Sequence, residues 1–184
     1  MPSNREDLGA DASRELVDVV NDGGDVIGQA TRAEIRSRNL LHRSVFIAVT
    51  TSTNELVVHQ RADWKDVWPS RWDICFGGVV DAGESFAEAA VREIWEEAGI
   101  VCTIADLADL GEGRYDDGLV HEIGHVYRLV SDQEPCFNDG EVVADDRVAL
   151  DQIDGWLAGR SVCPDSVNLV LPRVRSAAAS EGAQ

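Results

Sequence analysis

GVVDAGESFAEAAVREIWEEAGI, residues 78–100, is the stretch on which the reading of the whole chain turns. It follows G-x5-E-x7-R-E-U-x-E-E-x-G-U, where U is aliphatic. The fixed positions are Gly78, Glu84, Arg92, Glu93, Glu96, Glu97 and Gly99, and the aliphatic ones are Ile94 and Ile100. Seven fixed residues at roughly 7% frequency each match by chance about 10⁻⁸ times per window. DAG (81–83) reads as a turn, and a helix is expected from Glu84 to 98. At about 100° per residue, Glu93, Glu96 and Glu97 fall within roughly a 100° arc. Phe86, Ala87, Ala90, Val91, Ile94 and Ala98 fill the adjoining arc and face a core. Three carboxylates therefore stand together where core meets solvent. Like charges at this spacing cost a helix a few tenths of a kcal/mol per pair. A hard cation bound to their oxygens offsets that cost, and Mg²⁺ bridges carboxylates to phosphate oxygens. Arg92, four residues before Glu96, is placed to orient one acid as an ion pair. The plainer alternative is a solvated acidic helix face. Glycines and an arginine at fixed offsets argue against it.

Outward from this segment, strands and helices interleave. ELVDVVN (15–21) alternates as a strand does, and NDGGD is a turn. TRAEIRSRN opens with a capping box, Thr31 to Glu34, and predicts a short helix. RSVFIAVTT (43–51) and ELVVHQR (55–61) are β-rich runs that read as a hairpin. ADWKDVWPSRW (62–72) is a tryptophan-rich loop, and DICFGGVV (73–80) a short strand. Strands are expected at 101–112, 121–131 and 142–149, then helices at 150–158 and 165–176. The pattern predicts an α/β fold with a mixed central sheet flanked by helices. One domain is expected over 15–175, with a disordered lead at 1–14 and a flexible tail at 176–184.

The bulk numbers narrow the function. The chain has 184 residues, 44% of them hydrophobic, and a net charge of −18. Such an acidic surface argues against nucleic acid or an anionic membrane as partner. A small phosphate ester still binds if a metal ion bridges the like charges. Cys75, Cys102, Cys136 and Cys163 form no CxxC pair. With no apolar leader visible they read as reduced thiols of a cytoplasmic protein. Lys65 is the single lysine.

The 78–100 segment resembles the catalytic box of the Nudix hydrolases. That resemblance implies an α/β/α sandwich and hydrolysis of a diphosphate linkage in a small, nucleoside-diphosphate-type substrate, with Mg²⁺ or Mn²⁺ as cofactor. It implies metal ligands at Glu93, Glu96 and Glu97, joined by the backbone carbonyl of Gly77. One glutamate, Glu93 or Glu96, activates the attacking water, with Arg92 holding the acids. Many members dimerise, so a homodimer is one assembly it allows.

Outside the box the likeness runs over about 15–158. HQRADWKDVWPSRWD resembles the R-x3-K-x2-W-P-x2-W loop of type I isopentenyl-diphosphate isomerases, whose arginine and lysine bind diphosphate. These match Arg61 and Lys65, and His42 matches a histidine of the isomerase metal site. The departures speak against isomerase chemistry. Gly77 stands where that enzyme has its catalytic cysteine. Ile35 and Val79 replace two metal histidines, and Val120 replaces one downstream acid. The isomerase's catalytic glutamate matches Glu122, and Glu141 rivals it as an extra ligand or base. Two further readings stand beside the hydrolase: a non-catalytic nucleotide sensor and an isomerase-like enzyme. HEIGH (121–125) satisfies the zinc-protease pattern H-E-x-x-H, which works only on a helix. GLVHEIGHVYRLV reads as a strand, where residues four apart are about 13 Å apart and cannot share a zinc.

Overall fold

In a computed structural model, which describes residues 13–137 and 140–181, the chain begins with the strands β1 (Leu16–Val20) and β2 (Val26–Thr31), paired antiparallel. Helix α1 (Arg32–Arg38) starts where expected. The Glu34 amide donates to Thr31 Oγ1 at 3.3 Å, and the Thr31 amide donates to Glu34 Oε2 at 2.9 Å. Strand β2 was not foreseen. VIGQAT has no apolar alternation, because this outer strand leaves four of its six residues exposed.

Strands β3 (His42–Thr50) and β4 (Glu55–Arg61) were expected to form a hairpin. They pair only at Thr50↔Leu56 and then part. β3 runs parallel to β8 (His121–Val130) along its whole length and antiparallel to β6 (Phe76–Val79). β4 instead pairs with β9 (Val142–Ala149) and with the short β5 (Trp72–Asp73). β7 (Leu107–Asp116) closes the far side against β8. It begins later than expected, because residues 101–106 form a loop and a short 3₁₀ turn.

The divergence follows from burial. β3 is covered on both faces and alternates between two cores. Phe46 and Ala48 face one side, with Val170, Leu171 and Val174 of helix α4 (Pro164–Glu181). Val45, Ile47 and Val49 face the other, with Ala90, Ile94 and Ala98 of helix α2 (Phe86–Ala98). The short α3 (Ile153–Leu157) joins the first core through Ile153. The result is a mixed sheet between helices, as the sequence predicts.

Two boundaries are corrected. α2 begins at Phe86 and not Glu84. Ser85 is its N-cap, its hydroxyl accepting from the Glu88 amide. α4 continues to Glu181, so residues 176–181, expected to be a flexible tail, are helical. Alanine, the best helix former, dominates that stretch. Residues 1–12 and 182–184 of the expected lead and tail lie outside the described residues.

Candidate active site

The box helix α2 lies beside β6, and between them opens a cleft of about 330 Å³. Glu93, Glu96 and Glu97 all line it, as do Gly77, Arg92, Arg61, Lys65, Glu122 and Glu141. These residues come from five places in the chain, brought together because β3 holds β6 on one edge and β8 on the other.

Arg92 is the centre of the acidic cluster. Its Nη1 donates to Glu93 Oε1 at 2.7 Å and to Glu96 Oε2 at 3.1 Å. Its Nε and Nη2 grip Glu84 at 3.1 and 2.9 Å, and Nη2 also reaches the Val79 carbonyl at 3.3 Å. The guanidinium therefore ties the turn before α2 to the acids on it. The sequence suggested only the Glu96 contact.

The acids differ in surroundings. The Glu96 carboxylate is half exposed. Glu93 is enclosed, and burial, opposed by Arg92, lifts its carboxyl to about 7. Glu97 accepts a hydrogen bond from the Gly77 amide at 2.9 Å. Burial lifts its carboxyl to about 8, with Lys65 pulling the other way. Both shifts express the cost of a charge out of water.

The two glycines make room for these acids. A Cβ at Gly78 would sit 2.7 Å from Glu93 Oε1. Gly77 has φ +146°, and a Cβ there would lie 2.0 Å from the Val45 carbonyl oxygen. No side chain, a cysteine included, fits at 77 on this backbone.

Glu122 is 3% exposed and Oε1 has no hydrogen-bond partner among the described residues. Burial lifts its carboxyl to about 7, opposed by a hydrogen bond from Ser44. Glu141 is engaged with Lys65 as an ion pair. Arg61 donates Nη2 to the Val67 carbonyl at 3.2 Å and faces Asp73 at 3.8 Å. His42 is not brought into the cleft. It is 1% exposed in β3, its Nδ1 is 2.9 Å from the Leu40 carbonyl, and burial lowers its pKa to about 4. Substrate contact by His42 is therefore withdrawn.

Sequence reasoning missed Arg32, Arg36, Asp73 and Asp165, which also line the cleft. Asp165 is buried, and burial, reinforced by Asp73 and Glu122, raises its pKa well above the carboxylate range. Nothing local signals these residues, because each is polar in an ordinary helix or strand end. Cys75 lines the cleft too, but burial pushes its thiol pKa well up, so it supplies no thiolate. The loop over the cleft is held by packing. Trp68, at φ +46°, lies against Val120, Cys163 and the edge of Tyr115. HEIGH lies on β8 as a strand, and His125 bonds Asp109 at 2.8 Å.

The donor set suits a hard divalent cation. It consists of carboxylate and carbonyl oxygens, two of the carboxylates largely enclosed, with an unsatisfied oxygen of Glu122 in the same lining. Among the described residues, no three Asp, Glu, His or Cys side chains form a ready-made ligand set. Glu93 and Glu96 are instead turned onto Arg92.

Comparison with known proteins agrees with this geometry. The NUDIX domain family model matches residues 40–164. YfcD, an uncharacterized Nudix hydrolase of Escherichia coli (strain K12), is 35% identical over 131 residues, 71% of this chain and 72% of that one. The crystal structure of DR0079 from Deinococcus radiodurans superposes with a TM-score of 0.70 at 26% identity, covering 88% of this chain and 98% of that one. The NUDIX domain of Shewanella oneidensis NrtR, solved with ADP ribose, has the same fold at a TM-score of 0.58 and 15% identity, covering 80% and 99%.

Proposed function

Since the chain belongs to the Nudix family and is a hydrolase of pyrophosphate bonds, we propose that it cleaves the diphosphate of a small nucleoside-diphosphate-type substrate with Mg²⁺, or Mn²⁺ in its place. In this reading Glu93, Glu96, Glu97 and the Gly77 carbonyl hold the metal. When bound, it neutralises charge developing on the diphosphate as the P–O bond breaks. The observation that carries the reading is the pair Glu93 and Glu97, side by side on α2 and largely enclosed in the lining of one cleft.

The chain's own residues then have defined tasks. Arg92 fixes Glu93 and Glu96 against the 79–84 turn. The Gly77 amide orients Glu97. Glu93 or Glu96 takes a proton from the attacking water. Glu122, in the same lining with an open oxygen, is the second base or an additional ligand. Lys65 and Arg61 face Glu141 and Asp73 within the cleft lining.

Steric exclusion of a side chain at Gly77 supports hydrolysis over isomerase chemistry, which needs a thiol there. The sensor alternative is separated by metal-dependent turnover. The test is a panel of nucleoside di- and triphosphates, dinucleotides, nucleotide sugars, coenzyme A and prenyl diphosphates with Mg²⁺, scored for phosphate or monophosphate release. Glu97→Gln and Glu93→Gln should each lower kcat by about 10²-fold or more with the fold retained. A folded Glu97→Gln protein with parental turnover would sink the assignment.

A further inference from the structure

Helix α1 precedes residue 40, where the family match begins, yet two of its side chains line the cleft. Arg32 and Arg36 stand one turn apart. Arg32 points back to Glu15, Nη1 to Oε2 3.5 Å. The nearest acid to Arg36 is Asp66, with Nε to Oδ2 3.7 Å, beyond hydrogen-bond length. Arg36 Nε and Nη1 are buried and donate to nothing among the described residues.

Two other cations of the cleft are committed. Lys65 is paired with Glu141. Arg92 is shared by three glutamates. Arg61 donates Nη2 to Val67, while its Nη1 faces Asp73 at 3.8 Å, also beyond hydrogen-bond length, and its buried Nε has no acceptor among the described residues. Arg36 thus differs from its neighbours in having two buried N–H groups, on Nε and Nη1, without acceptors among the described residues. Buried donors without partners are rare and call for an explanation.

Its position supplies one. Arg36 is on the wall shared by the catalytic cleft and a second cavity of about 500 Å³, bordered by Val67, Trp68, Pro69 and Leu119. A diphosphate at this junction has the carboxylate helix on one side and, on the other, room for the group it carries. The planar guanidinium matches two phosphate oxygens at once, which an ammonium does not.

We propose that Arg36 holds the substrate's diphosphate, its unpartnered Nε–H and Nη1–H each donating to a phosphate oxygen. Arg36 joins Arg61 and Lys65, to which the sequence pointed for this task, and adds two donors that no acid takes up within hydrogen-bond distance. The assignment rests on the diphosphate-hydrolase reading.

The probe is methylenebisphosphonate, which is not hydrolysed, titrated calorimetrically with Mg²⁺ into the full-length protein. Loss of the charge-assisted contacts should weaken binding about tenfold to a hundredfold in Arg36→Gln. Arg36→Lys should recover only part of it. Arg38→Gln, on the exposed face of the same helix, should bind as the parent does. If Arg36→Gln does not fold, the Arg36 Nε–H NMR signal of the parent decides, since the bisphosphonate should shift it. A folded Arg36→Gln with parental affinity, or an unmoved signal at saturation, overturns the assignment alone. A parent that binds no bisphosphonate with Mg²⁺ overturns the hydrolase reading and this assignment with it.

Discussion

Replacing Gly78 by alanine separates catalysis from stability in this fold. Gly78 has no left-handed backbone, so an alanine is conformationally allowed. Its Cβ would meet the Glu93 carboxylate at 2.7–2.8 Å, whereas ordinary contact begins near 3.4 Å. The carboxylate must therefore retreat by about 0.7 Å. It is the far end of a flexible side chain, so the strain is of the off-rotamer kind, about 1 kcal/mol. For a domain of this size that lowers Tm by roughly 2–4 °C. The same displacement moves a catalytic acid off Arg92, and misplacement near 1 Å costs about 10²-fold in rate. The assay is kcat/KM on the best diphosphate of the panel, with a thermal melt in the same buffer. Gly77→Ala is the contrast. There the obstruction is a backbone carbonyl at 2.0 Å and φ is +146°, so no side chain can yield. It should lose at least about 3 kcal/mol of stability. A folded Gly78→Ala enzyme with parental kcat/KM would show that Glu93 has no catalytic role in this position.

Arg92→Lys keeps the charge but cannot span Glu84, Glu93 and Glu96 together, so kcat should fall about tenfold or more, read by steady-state kinetics. Metal affinity should rise with pH. The Glu93 and Glu97 carboxyls, lifted to about 7 and about 8, are protonated near pH 6 and must release protons to bind a cation. Calorimetric Mn²⁺ titrations should tighten from pH 6 to 8 and release protons in proportion; an affinity flat over that range refutes the assignment of those acids as ligands. His59 is buried and its pKa is lowered to about 4 by burial, so the folded chain keeps it neutral where the unfolded chain takes up a proton. Its contribution to stability is present above about 6.5 and lost as pH falls through 4, on the order of 3 kcal/mol. His59→Phe should lose less Tm than the parent between pH 7 and 4.5.

The box helix was legible because its information is local. Period, cap and acid spacing all lie within 78–100, and the structure adds only Ser85 as the true cap. What failed needed distant partners. The 43–61 hairpin is the natural reading of two adjacent β-rich runs, but β3 pairs its edges with 76–79 and 121–130 and buries its two faces under α2 and α4. VIGQAT carried no signal because it is a strand through backbone pairing with β1 and not through a buried face. Arg61 and Lys65 were found by motif; Asp73 was not found, and Glu141 was named as a rival ligand or base but not as the partner of Lys65. Arg36 carries no local signal. Only tertiary placement puts its unpartnered donors into the cleft.

The charge of the cleft supports the proposed metal. Its lining holds Glu15, Asp66, Asp73, Glu93, Glu96, Glu97, Glu122, Glu141 and Asp165 against Arg32, Arg36, Arg61, Lys65 and Arg92. An acidic excess inside a chain of net charge −18 opposes a diphosphate at every distance within the screening length of about 10 Å. Arginines do not reverse this, since most are neutralised by acids they already touch. The raised carboxyls show the same strain from within: burial holds protons on Glu93 and Glu97 even against Arg92 and Lys65. A divalent cation relieves both at once, displacing those protons and supplying the attraction that the cleft itself lacks. The acidity that argued against nucleic acid therefore argues, at this one place, for a metal-borne diphosphate. The uncommitted guanidinium of Arg36 is left to position the diphosphate rather than to attract it.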